Sequence, residues 1–275
     1  MDYQFETLKV QLLPDTQGVL LVQLNRPKKL NAFNNTLINE YRECFKKIEK
    51  DNHVRCVIVT SSGKHFTAGI DVSVFSSMGE SDLDVARKAL NQRQVVLNIQ
   101  DSVSQVEYCS KPVIMGVSGF CLGMGIDIIT CGDIRFCTSD AKFSVKEIDL
   151  GLAADVGTLQ RLPKVCGNQS WVNEICLTAR NFDAKEALQF GLVSNIYQNQ
   201  EELMNAALKI ATAIASKSPV AVLGTKHLLL HSRDHSVAEG LLYTATWNAS
   251  MLQTEDIPKS VMASMQKKPA FYSNL

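Results

Sequence analysis

Residues 116–157 read GVSGFCLGMGIDIITCGDIRFCTSDAKFSVKEIDLGLAADVG, and the architecture follows from them. An apolar run ending at Val117 reads as a buried strand. A turn punctuated by Gly119, Gly123 and Gly125 follows, and then an apolar segment, 126–130, that reads as the start of a buried helix. Glycines between a strand and a helix let backbone approach a ligand closely and leave the first helical N–H groups free to bind an oxygen. Three acids interrupt this apolar background: Asp127, Glu147 and Asp155. A carboxylate buried without a partner is costly or takes up a proton. Any one of them alone is accounted for as a helix cap or an ion-pair member. Three in one glycine-rich apolar stretch point to acid–base chemistry.

Upstream, the apolar runs 5–12 and 19–24 are separated by Pro14-Asp15-Thr16-Gln17-Gly18 and read as a hairpin. Asn35 is the expected cap of a helix reaching Glu49. The continuous apolar run 56–60 reads as a strand covered on both faces. A loop follows, 61–75, in which the small residues Ala68 and Gly69 offer a second place where backbone can approach a ligand. A long helix is expected to start at Ser81 or Asp82 and to reach about Tyr108, with helical but imperfect apolar spacing. Further strands are expected at 134–137, 142–145 and 192–197. A short helix at 157–162 is expected to end at Pro163, with Asp155 in the position of its cap. From about residue 200 the pattern is helical. Strands alternating with helices give an α/β class with a mostly parallel sheet.

The 275 residues suit one large domain or a core with an appended module. Lys+Arg and Asp+Glu are both 28, so no basic excess points to nucleic acid or an anionic membrane. The eight cysteines form no C-x-x-C pair and read as reduced core residues of an intracellular protein. No apolar run approaches the ~20 residues of a membrane span. The N-terminal segment MDYQFETLKV has no signal-peptide pattern. The final Ser273-Asn274-Leu275 differs by one residue from the S-K-L peroxisomal address, so a peroxisome is expected, with a mitochondrion as the alternative.

GFCLGMGIDIITCGDIRF and HFTAGIDVSVF resemble the two signature segments of the enoyl-CoA hydratase/isomerase (crotonase) family. LNRPKKLNAF resembles its early CoA-binding segment, and AKEALQFGLV a later helix-turn. The resemblance covers nearly the whole chain. Asp127, Glu147 and Asp155, with VKEIDLGLAADVGTLQRLPKV, match the pattern of the family's dienoyl-CoA isomerases; a typical hydratase has glutamates at positions 127 and 147 and usually glycine at 155. The fold implied is a crotonase-like spiral of ββα turns over 1–200, followed by a helical trimerisation region over 201–275, assembled as a trimer or a dimer of trimers.

The reaction implied is a 1,5 proton shift that converts a 3,5-dienoyl-CoA to a 2,4-dienoyl-CoA in fatty acid β-oxidation. CoA is part of the substrate and no cofactor or metal is implied. By resemblance the backbone N–H groups of Ala68 and Met124 form an oxyanion hole. Asp155 is assigned as base at C2, Glu147 as acid at C6, and Asp127 as their support. Lys28 and Lys29 are expected to meet the CoA phosphates, with Ala68, Gly69, Ile70, Asp71, Val72 and Gly125 along the substrate. The alternatives are hydration or a 1,3 double-bond shift on the same fold, in which Asp155 has no evident job, and a non-catalytic RNA-binding relative, which calls for a basic stripe. His227, His231 and His235 recur every four residues but lack a metal-binding context. His65 lies at the entrance of the second turn without an expected catalytic part, and Ser118 lacks the glycine spacing of a nucleophile elbow.

Overall fold

The structure is a computed structural model that describes residues 1–76 and 83–275. The chain runs β1 (Leu8–Leu12), β2 (Val19–Leu24), α1 (Asn35–Glu49), β3 (Cys56–Ser61), α2 (Ser73–Ser76), α3 (Val85–Tyr108), β4 (Val113–Val117) and β5 (Phe120–Leu122). It continues through α4 (Met124–Cys131), β6 (Ile134–Thr138), β7 (Lys142–Ser144), α5 (Thr158–Val165), α6 (Gln169–Thr178), β8 (Phe182–Asp183), α7 (Ala184–Gln189) and β9 (Asn195–Tyr197). Four helices complete it: α8 (Gln200–Ala215), α9 (Pro219–His231), α10 (Val237–Met251) and α11 (Asp256–Met265).

The main sheet has the order β1-β2-β3-β4-β6-β9 and is parallel except for the β1–β2 hairpin. A second row of short backbone segments runs beside it. Phe33 bridges Ile70 and Thr67 bridges Cys121, both in parallel, and β5 pairs in parallel with β7, which pairs with β8. Successive turns of the chain thus supply one strand to the sheet, one short segment to the second row and helix between, which is the ββα spiral expected. The backbone that will line the site, 67–70 and 120–123, belongs to this second row.

The apolar runs are continuous because the sheet is covered on both faces. Val57 and Val59 of β3 and Val113, Met115 and Val117 of β4 face the larger core, shared with α1, α3 and α4. Cys56 and Ile58, with Ile114, face the stripe Leu203, Ala207, Ala211 and Ala215 of α8. Helix α8 therefore belongs to the core, and the expected division at residue 200 is corrected. Helices α9, α10 and α11 leave large apolar side chains in solvent: Leu229, Leu241, Leu242, Met262 and Met265 are all at least 60% exposed. No single helix among the described residues is long and apolar enough to cross a membrane. The α8–α9 pair has the length and composition but is bent by 110°.

Several boundaries differ from expectation for local reasons. The cap of α1 is Asn34, whose side chain accepts the Leu37 N–H at 3.0 Å. The expected start at Ser81 or Asp82 lies outside the described residues; α3 begins at Val85 with the Asp84 carboxylate accepting the Arg87 N–H at 3.1 Å. Pro163 does not end α5, which runs to Val165, since a proline in its last turn removes only its own N–H. The glycine turn after β4 encloses the short strand β5, and β8, α2 and α11 lie outside the expected elements.

All eight cysteines are free; seven are buried and Cys176 is half-buried. Helix α9 is tied to the sheet by a buried ammonium. Lys226 Nζ lies 2.8 Å from Asp133 Oδ2 and donates to the carbonyls of Lys111, at 3.0 Å, and Val106. Asp133 Oδ2 in turn accepts the Val113 N–H at 2.7 Å, at the start of β4. Removing one partner of a buried pair strands the other. Lys226→Met is expected to lower the unfolding free energy by about 3 kcal/mol, read as a fall in the urea midpoint at unchanged slope.

Candidate active site

Two segments of the second row, helices α3 and α4 and the segment 146–156 enclose a cavity of about 90 Å³. Ala68, Gly69 and Ile70 form one wall, and Gly123, Met124 and Asp127 a second. Glu147, Asp155 and the apolar side chains of Val96, Ile99, Leu150, Leu152 and Val156 complete it. Two of the glycines are required by close approach. Gly69 has φ +95° and a Cβ there would lie 2.9 Å from the Leu122 carbonyl oxygen. Gly123 has φ +50° and a Cβ there would lie 3.2 Å from Glu147 Oε1, so the glycine lets the carboxylate rest against the turn.

The expectation that Ala68 supplies an oxyanion donor is not met by the geometry, because its N–H already donates to the Leu30 carbonyl at 2.9 Å. The Gly69 N–H donates to Thr67 Oγ1 at 3.0 Å. Among the described residues, the N–H groups of Ile70 and Met124 have no protein acceptor, and both residues line the cavity. Met124 opens α4, so its amide is one of the free donors of a helix N-terminus, while its side chain packs in the core.

The three acids are brought together in this one cavity. Asp127 is fully buried, and its Oδ1 accepts the Thr158 N–H at 2.5 Å, so it caps the first turn of α5 from another helix. Asp155 therefore does not have the capping role; the residue at the cap is Gly157. Burial pushes Asp127 up to about 6, against the pull of Thr158 and Arg161. Burial, and then the charges of Asp127 and Asp155, push Glu147 up to about 7. Glu147 Oε2 is buried without a hydrogen-bond partner. Asp155, whose side chain is open to solvent in the single chain, is raised by partial burial. A pocket holding three such groups can exchange protons near neutral pH.

Other expected residues are placed elsewhere. Lys28 and Lys29 lie exposed on a short helical turn that does not line the cavity. Asp71 pairs with Arg26 at 3.2 Å and Val72 is 73% exposed. Gly125 lies within α4, where a Cβ would meet Thr67 Cγ2 at 2.7 Å; its role is packing. His65 stacks on Phe120 at 4.2 Å and its Nδ1 accepts the Phe120 N–H, which fixes the turn into β5. Ser118 Oγ accepts from Gln200 Nε2 at 2.7 Å. His231 stacks between His235 and Tyr243, and His227 packs on Trp247 at 4.3 Å, so these rings join α9 to α10 and to the turn between them. The sequence reading missed the apolar wall and the Ile70 amide. The wall residues on α3, Val96 and Ile99, carried helical spacing as their only signal.

A family profile described as Enoyl-CoA hydratase/isomerase matches residues 15–274. A mouse protein named Delta(3,5)-Delta(2,4)-dienoyl-CoA isomerase, mitochondrial, is 51% identical over 269 residues, 97% of this chain and 82% of that protein. An Arabidopsis thaliana protein of the same name, but peroxisomal, is 41% identical over 97% of both chains. The crystal structure of an enoyl-CoA hydratase from Bacillus anthracis superposes with a TM-score of 0.87 at 26% identity, covering 98% of this chain and 99% of that one. With the spiral fold and the profile match over nearly its whole length, the chain belongs to the enoyl-CoA hydratase/isomerase, or crotonase, family.

Proposed function

We propose that the protein is a Δ3,5-Δ2,4-dienoyl-CoA isomerase of fatty acid β-oxidation. The observation that carries this reading is the third acid, Asp155, in a cavity that already holds Glu147. A shift of a proton from C2 to C6 needs groups at two separated carbons. The thioester oxygen is received by the N–H groups of Ile70 and Met124, which have no other acceptor among the described residues. Such donors are each worth about 3 kcal/mol of barrier.

Glu147 rests against the Gly123 turn, beside the Met124 donor, and so stands next to the thioester and C2. Asp155 lies among the apolar residues of the cavity and is tied to α3, which supports a role for it toward C6. This reverses the assignment expected from sequence. Ionised Glu147 takes the C2 proton, the charge spreads through the dienolate to the thioester oxygen, C4 and C6, and protonated Asp155 delivers a proton to C6. The C2–H bond breaks and the C6–H bond forms. Glu147 ends protonated and Asp155 ionised, and a proton returned between them or through solvent resets the site. Asp127, engaged by Thr158, raises Glu147 by its charge and holds α5.

The exposed apolar side chains of α10 and α11 support assembly as a trimer or a dimer of trimers. The compartments named for the relatives, mitochondrion and peroxisome, are those in which this reading places the chain. The mammalian relatives favour the mitochondrion over the peroxisome, and Asn274 of the terminal tripeptide is engaged by the Arg55 guanidinium at 2.9 Å.

Purified protein given a 3,5-dienoyl-CoA is expected to raise the conjugated-dienoyl absorbance while leaving a 2-enoyl-CoA nearly unchanged. Loss of the enoyl signal without dienoyl product would mean a hydratase. Glu147→Gln and Asp155→Asn are each expected to lower kcat/KM about a thousandfold, and the wild-type kcat/KM to fall as pH rises through about 7, where the pair loses the one proton the shift requires. Near-wild-type turnover in both variants would exclude the pair.

Burial also links Glu147 to stability. Its folded pKa is raised, so its contribution is fully present below the unfolded value and is lost as pH rises through about 7. Glu147→Gln is therefore expected to be more stable than wild type at pH 8 by on the order of 2 kcal/mol, with the gain gone by pH 4, measured by urea unfolding. Sedimentation equilibrium is expected to give a mass three or six times that of the chain. A monomer at micromolar concentration would remove the assembly reading.

A further inference from the structure

Helix α3 carries an apolar edge into the cavity through Val96 and Ile99. Beside that edge runs a polar stripe, Gln100, Ser104 and Glu107, at the i, i+4, i+7 spacing of one helix face. The whole stripe is engaged by one segment, 155–161. Gln100 Nε2 donates to the Asp155 carbonyl oxygen at 2.6 Å. Ser104 Oγ accepts from Arg161 Nη2 at 2.9 Å, and Glu107 Oε2 accepts from Arg161 Nε at 3.0 Å and Nη2 at 2.9 Å. Glu107 Oε1 accepts a further bond from Arg233 at 2.6 Å, which fixes the far end of the stripe.

The segment so gripped is the one that carries Asp155. Its downstream end is already fixed by the Asp127–Thr158 bond and by Arg161 on Ser104 and Glu107. Upstream, residues 151–154 form no regular element, and Asp155 is solvent-open. Among the described residues, the Gln100 amide is the side-chain donor that holds the backbone of Asp155 itself.

We infer that Gln100 is a positioning residue for Asp155, setting the reach of that acid along the acyl chain and hence the efficiency of protonation at C6. The inference rests on the isomerase reading. The same helix turn presents Ile99 to the acyl chain and Gln100 to Asp155, so the wall that receives the chain and the acid that protonates its far end share one rigid element. Displacing an acid by about 1 Å costs up to a hundredfold in rate, and Glu147, on the other wall, is untouched by this bond.

The test is Gln100→Met, which keeps length and helix propensity and removes the donor, beside Gln100→Lys, which restores one. The reaction is run in deuterium oxide with a 3,5-dienoyl-CoA, reading both product and deuterium at C2 of recovered substrate. For Gln100→Met, kcat is expected to fall ten- to a hundredfold at unchanged KM and unchanged melting temperature. The ratio of C2 deuterium to product is expected to rise about tenfold, because abstraction at C2 continues while protonation at C6 is slowed. Gln100→Lys is expected to recover most of kcat. An unchanged ratio overturns the inference, whether kcat is preserved or falls together with the melting temperature. A wild-type protein that forms no dienoyl product would instead overturn the isomerase reading, and this inference with it.

Discussion

A carboxylate oxygen without a partner, enclosed in an apolar cavity, is the constraint on which the rest of the site depends. Glu147 Oε2 is such an atom. Its own backbone amide is a weak counterweight to burial, so its place is imposed from outside: by the Gly123 turn on which the other oxygen rests, by the short helical turn 147–150, and by the apolar residues around it. The result is a group that gains and loses a proton near neutral pH, which an exposed glutamate does not do. The sheet, covered by α1, α3 and α4 on one face and α8 on the other, is the rigid body that resists the collapse of this cavity.

The three acids differ in kind although they share a pocket. Asp127 is spent on a backbone amide of α5 and acts through what it holds. Glu147 is dry and bare. Asp155 is open to solvent in the single chain and is restrained through its backbone. Such a graded set suits a reaction in which one group must start ionised, another protonated, and a third must change state in neither step. An aspartate at position 127 reaches the α5 amide across the helix pair, which leaves the carboxylates of Glu147 and Asp155 as the ones not engaged by another residue's amide in the cavity.

Much of this was legible in the sequence, and the failures have physical causes. The strands declared themselves because both faces of the sheet are buried, and the acids because they interrupt apolar runs. The free amide of that wall lies two residues beyond the expected one, at Ile70 instead of Ala68. Whether the amide of Ala68, Gly69 or Ile70 is free depends on the Leu30 carbonyl and the Thr67 hydroxyl, and a free amide leaves no mark on its own residue. Asp155 stood in the cap position of α5 because helix starts are local patterns, whereas the carboxylate that caps α5 comes from 31 residues upstream. Helix α8 was assigned to an appended module although its alanines at 207, 211 and 215 form the narrow stripe that lets a helix lie close on a sheet. The imperfect spacing of α3 was noted as a defect; the interrupting residues Gln100, Ser104 and Glu107 are the grip on the Asp155 segment.

In the function proposed here, the donors of Ile70 and Met124 are main-chain groups, whereas Glu147 and Asp155 act through side chains. A single codon change can erase either acid, but among the twenty amino acids only proline deletes an amide hydrogen. The half of the apparatus that receives the thioester oxygen is therefore nearly immune to point mutation, provided the fold stands. The half that moves protons is open to replacement one residue at a time. Within such a scaffold, inherited variation can redirect which carbon is protonated far more readily than it can abolish recognition of the thioester.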